Sequence, residues 1–139
     1  MSNLGVKHES YTEEDWYSDL FKSAESVGVV RVAKIALKSF DHFCNSQGIS
    51  KREKINDYIK LLKPSKDDDG EYVEPDSRSV CLSLNKYVTF LGETHDEIVT
   101  STTNNSIRTF KAKSPKTIRL YFSLVKSYLK KCHGVRVSI

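Results

Sequence analysis

"SPKTIRLYFSLVKSYLKKCHG", residues 114–134, has the spacing of one helix with two unlike sides. Ile118, Tyr121, Phe122, Val125, Tyr128, Leu129 and Cys132 recur at intervals of three and four, which places them together on an α-helix. Lys116, Arg119, Ser123, Lys126 and Lys130 form a second row on another side, and that row carries a single sign. Amphipathicity accounts for the apolar row. It does not account for the missing carboxylates.

The charge pattern extends beyond this helix. Residues 1–30 hold 2 basic and 6 acidic side chains, residues 31–63 hold 8 and 3, and residues 64–97 hold 3 and 9. Residues 98–139 hold 9 basic side chains and no acid, although the net charge of the chain is only +4. A solvated helix face usually mixes its signs, so a long stretch of one sign points to a polyanionic partner. The row from Lys116 to Lys130 spans about 21 Å at 1.5 Å per residue. That exceeds the roughly 12 Å width of a DNA major groove. Ser114 leaves backbone N–H groups at the helix start, where a phosphate can dock.

Working backwards, the other segments are helical too. "TEEDWYSDLFKSAES" is capped by Thr12, with Glu13, Glu14 and Asp15 at the positive end of the dipole and Trp16, Leu20 and Phe21 spaced for burial. "VRVAKIALKSFDHFCNSQG" turns Ala33, Ala36, Leu37, Phe40, Phe43 and Cys44 inward and stops at Gly48; Arg31, Lys34 and Lys38 lie on its other side. "SKREKINDYIKLLKP" opens on the Ser50–Glu53 capping box, closes before Pro64, and offers Ile55, Ile59 and Leu62 to a core. After the acidic loop "SKDDDGEYVEP", a further helix turns Val80, Leu84, Tyr87, Val88 and Leu91 inward. Thr94 and Glu97 suggest another capping box, and the β-branched, Asn-rich stretch behind it is read as short helices near 95–101 and 105–112. No segment shows sustained two-residue alternation. The expected fold is therefore all-α, a compact bundle of five or six helices.

At 139 residues, 38% hydrophobic and 29% charged, the chain fits one globular domain. Residues 1–10 are expected to be a flexible N-terminal arm, 11–134 the helical domain, and 135–139 the start of a linker. No apolar run nears the roughly 20 residues of a membrane helix. With no export signal and three cysteines lacking CxxC spacing, the expectation is a cytoplasmic protein with reduced thiols and no membrane partner.

Catalytic and metal constellations are weak. His133 and Arg136 spell H-x-x-R, a pair that tyrosine-using DNA-breaking enzymes direct at a phosphate, but no tyrosine follows to act as nucleophile. Gly134 is better read as the helix stop, with His133 in the last turn. Asp67, Asp69 and Glu71 hint at a calcium loop, yet Arg78 stands at the twelfth position and the central Gly is absent. Histidines are scattered, and neither a Gly-rich phosphate loop nor a G-x-S-x-G elbow occurs. No metal, no cofactor and no catalytic residue are expected.

The segment Ser114, Pro115, Thr117, Tyr121, Phe122, Val125, Tyr128, Leu129, Lys130, Lys131 and Gly134 resembles the last helix of the SAM-like, core-binding domain of tyrosine recombinases. That is the phage integrase family, and archaeal integrase-like proteins give the nearest look. "ALKSFDHFCNSQG" and "SLNKYVTFLG" are similar to its earlier aromatic-rich helices. The resemblance implies an N-terminal domain that clamps double-stranded DNA, while a C-terminal catalytic domain in a longer parent chain performs strand transfer. On this reading the chain itself is not an enzyme. Lys116, Arg119, Lys126 and Lys130 would meet phosphates, Arg108, Lys111 and Lys113 would extend the track, and Ser123 could donate a hydrogen bond. Thr117 or Arg119 is the expected base reader. A rival reading is a helical protein-interaction module whose basic side meets an acidic protein.

Overall fold

The computed structural model describes residues 11–100 and 105–137, with the backbone alone described at 95–100 and 105–108. Among the described residues five helices form the body: α1 (Glu13–Ala24), α2 (Val27–Ser46), α3 (Lys51–Leu62), α4 (Ser77–Leu91) and α5 (Pro115–His133). Two antiparallel hairpins interrupt them: β1 (Ser65–Lys66) with β2 (Tyr72–Val73), and β3 (His95–Thr100) with β4 (Asn105–Phe110). The central pair is α2 and α5, each of which packs against the other and against all three remaining helices. The all-α bundle expected from periodicity is the fold.

Helix ends follow local chemistry. The Thr12 hydroxyl accepts from the Asp15 N–H while the Asp15 carboxylate accepts from the Thr12 N–H, and Ser50 and Glu53 repeat the arrangement at α3. Such reciprocal caps satisfy N–H groups that a helix leaves unpaired. Ser114 caps α5, Pro115 occupies its first turn, and Gly134 closes it at φ +69. Gly48, at φ +82, turns the chain beyond α2.

All six residues expected inward on α2 are buried, Ala33, Ala36, Phe40 and Cys44 completely. Phe40 meets Tyr87 of α4 edge to face, with centroids 5.2 Å apart. On α1 and α3 the buried side is rolled relative to the expectation. Trp16 and Tyr17 are buried, Leu20 is partly so, and Phe21 is 46% exposed. Tyr58 is buried with Ile55, whereas Ile59 lies outward and Leu62 is only partly covered. In both helices a tyrosine takes the inner place because its ring adds apolar area while its hydroxyl finds a partner. Tyr58 pairs with Ser83 at 2.7 Å, and Tyr17 donates to Glu13 at 2.9 Å. Along α5, Leu124 joins Tyr121, Val125, Tyr128 and Leu129 inside, while Ile118, Phe122 and Cys132 are partly buried.

Among the described residues the expected helices near 95–101 and 105–112 do not form. Their place is taken by β3 and β4, whose register sets Ile98 opposite Ile107 and Glu97 opposite Arg108. β-branched residues fit a pleated ribbon better than a helix, and apolar or opposite-charge residues set opposite each other favour pairing. Thr94 therefore caps no helix; its hydroxyl accepts from the Ala112 N–H at the base of the hairpin. The acidic loop is exposed throughout, as expected, but Ser65 pairs with Val73 and Lys66 with Tyr72. Asp67 Oδ1 accepts from the N–H groups of Asp69 and Glu71, so its carboxylate shapes the turn. Residues 1–10 lie outside the described residues. The segment after Gly134 does not leave the domain at once: Val135 is 2% exposed and its N–H bonds Leu129 O at 2.9 Å.

Candidate nucleic-acid interface

With its apolar side in the core, α5 presents Lys116, Arg119, Ser123 and Lys130 to solvent, and Lys126 is half-buried at the flank of the row. The Lys126 ammonium lies 5.7 Å from the centre of the Phe122 ring, a cation–π distance that holds a long side chain over the helix surface. Beside the row runs a shallow groove of about 730 Å³, lined by Arg119, Ser123, Lys126 and Lys130 with Phe122 at its edge. Arg136 and Val137 close the other bank. Among the described residues no carboxylate lines this groove.

Arg136 is the member the sequence reading assigned elsewhere. Its signal is the alternation in "GVRV": Val135 is buried, Arg136 exposed and Val137 partly buried, so the strand-like step points the guanidinium outward. The H-x-x-R pair is split between two environments. His133 is half-buried, with its imidazole 3.0 Å from the Tyr128 hydroxyl, while Arg136 stands in the groove. Burial, then the nearby Lys51 charge, lowers the His133 pKa, with Glu13 opposing. Burial raises the pKa of Tyr121, and burial followed by the Glu13 charge raises that of Tyr128, so both phenols stay protonated.

Other expected contacts are not in the row. Thr117 is half-buried and its hydroxyl lies 3.1 Å from Ser114 Oγ, while its N–H donates to the same oxygen. It belongs to the cap, which leaves Arg119 as the solvent-facing one of the two expected base readers. Lys111 and Lys113 line a separate hollow bounded by α2, the end of α4, β4 and Tyr121 of α5. The Lys113 N–H is tied to Leu91 O at 2.8 Å, which fixes that course of the chain. The Arg108 side chain lies outside the described residues. On α2, Lys34 sits 5.3 Å from the Tyr17 ring centre and Lys38 borders the second hollow beside Asp41, so neither extends the α5 row.

None of the three cysteines is in a disulfide, and burial pushes Cys44 up to about 12 and Cys132 to about 11. Among the described residues no group of three or more His, Cys, Asp or Glu is placed to hold a metal ion. Nor is any helix long and apolar enough to cross a membrane. No protein family, curated protein or solved structure matches the chain.

Proposed function

We propose that this chain is a non-catalytic DNA-binding domain of an integrase-like recombinase, holding duplex DNA through α5. The observation that carries the reading is the groove lined by four cations from α5 and the following segment, without a carboxylate among the described residues. Cations on a rigid helix suit phosphates, which position a protein on DNA without reading its sequence. The resemblance of residues 114–134 to the last helix of core-binding domains adds a fold context in which such a helix lies on a duplex. Strand transfer would belong to a catalytic domain in a longer parent chain.

Gel-shift binding against a pool of random duplexes at low salt tests this directly. Retained duplexes with a recoverable site preference are expected, and the chain should neither nick supercoiled DNA nor trap as a covalent adduct. No retention at any salt concentration would sink the proposal. Leu120, 46% exposed beside Lys116, favours a second reading in which the same side meets an acidic protein. Duplex binding with a site preference is the outcome which that reading does not produce.

A further inference from the structure

We infer that the β1–β2 ribbon of one copy docks on the α5 groove of a second copy of this chain, so that its segregated charges meet between molecules. The ribbon carries the chemistry such a groove takes. Residues 65–76 hold six acids and one base, and every residue of the segment is exposed. Tyr72 and Val73 stand among the carboxylates at 59% and 42% exposure. The segment is tied to the bundle at its root, where the Asp76 N–H donates to Leu61 O at 2.7 Å. Its strands pair with each other and pack on no other described element. A lone two-stranded ribbon is at best marginally stable in water, so a surface that covers it also holds it in shape.

The groove is the matching half. Arg119, Lys126, Lys130 and Arg136 supply its positive charge, Phe122 and Val137 supply apolar edges, and no carboxylate lines it among the described residues. An acidic segment with exposed apolar side chains complements that lining, whereas a segment of mixed sign would bring like charges together. The acidic first turn of α1 is a poorer occupant. Glu13 reaches Lys51 and the Tyr17 hydroxyl, and Asp15 is engaged in the Thr12 cap. Within one chain the ribbon and α5 make no contact, so the two surfaces are left for a neighbour. Exchanged reciprocally, the contact closes as a two-fold dimer; used one way, it extends head to tail. The docking stands without the duplex reading. Only its consequence rests on that reading: a duplex and a second copy compete for one groove.

Sedimentation velocity over a dilution series tests the docking. The parent should associate at about 0.05 M salt and separate into monomers at about 1 M, where the screening length falls to about 3 Å. Two charge-reversed chains carry the decisive arm: Asp68→Lys with Glu71→Lys on the ribbon, and Arg119→Glu with Lys130→Glu in the groove. These residues are all exposed, so the circular dichroism of both variants should match the parent's. Each variant alone should stay monomeric at low salt, and an equimolar mixture should regain the association, because each supplies the sign the other lost. Glu14→Lys with Glu25→Lys makes the same change of net charge on exposed residues of and just beyond α1, and it should associate like the parent. A parent that is monomeric at low salt, a ribbon or groove variant that associates like the parent, or a mixture that stays monomeric would each overturn the docking. So would an α1 control that loses association as fully as the ribbon variant. Duplex gel shifts on the same proteins keep the two readings apart, and the ribbon variant should bind duplex at least as tightly as the parent. Duplex binding by a parent that stays monomeric removes the second copy and leaves the duplex reading. Rescue on mixing, in a parent that retains no duplex, does the reverse.

Discussion

His133 and Ser127 show how single side chains on α5 answer to the helices around them. The His133 imidazole is half-buried against Tyr128, and desolvation with the Lys51 charge holds its pKa below the ordinary value of 6.5. A histidine depressed in the folded state takes up its proton first in the unfolded chain. Its contribution to stability is therefore complete above about pH 6.5 and declines as pH falls toward the folded pKa. Urea midpoints should be flat between about pH 7 and 8 and fall below about 6.5, and His133→Gln should flatten that fall. Asp76, whose pKa is lowered by its hydrogen bonds from Ser79, acts in a separate window below the ordinary carboxylate value of 3.8. Ser127 makes a different demand. Its hydroxyl accepts from the indole N–H of Trp16 at 3.1 Å, and Trp16 is only 2% exposed. Ser127→Ala leaves that donor buried without its partner, so chemical denaturation should register a loss of about 1–3 kcal/mol.

Elements were legible where one period dominated and obscure where two competed. The inward side of α2 could be read without error because small and aromatic residues repeat at helical spacing and nothing polar interrupts them. The tyrosines of α1 and α3 were missed because a residue with an apolar ring and a polar tip gives no sign of its direction until its partner is placed. Thr94 and Glu97 match a capping box by spacing alone, yet the β-branched residues behind them prefer the ribbon. In the candidate site, Lys116, Arg119, Ser123, Lys126 and Lys130 were legible as one row. Lys111 and Lys113 were not separable from it, since only the course of β4 and its tie to Leu91 sends them elsewhere. Replacing residues 97–108 by a short Gly-Ser turn should remove the antiparallel component of the amide I band and leave the helical ellipticity nearly intact. A collapse of helicity would mean that the hairpin is needed by the bundle. The C-terminal stop of α5 gives a second element-level prediction. Gly134 sits at φ +69 with nothing within 4 Å of an added Cβ, so Gly134→Ala meets backbone strain rather than a clash. A loss of about 1 kcal/mol is expected in the same denaturation assay.

Across the whole molecule, charge is sorted by segment and then sorted again by folding. The acidic β1–β2 hairpin is exposed, the acidic first turn of α1 interacts in part with α3 through Glu13 and Lys51 at 3.6 Å, and the α5 row lies along a groove lined by no acid among the described residues. If Lys116, Arg119, Lys126 and Lys130 each neutralise a phosphate, binding releases about one counterion per contact. The slope of log affinity against log salt is then roughly −4 on duplex DNA, from about −0.9 per contact. Arg136 in the same groove would steepen it by about one more. Lys126→Ala and Arg136→Ala should therefore each reduce the slope's magnitude by about one and weaken all duplexes nearly alike. Both folds should survive, because truncating a surface cation changes stability by about 0.5 kcal/mol or less. Lys111→Ala, on the other hollow, should leave the duplex slope where it was. A parental slope in both Lys126→Ala and Arg136→Ala would make the row an ordinary wet helix face. A slope lowered only by Lys111→Ala would move the duplex to the opposite flank of α5.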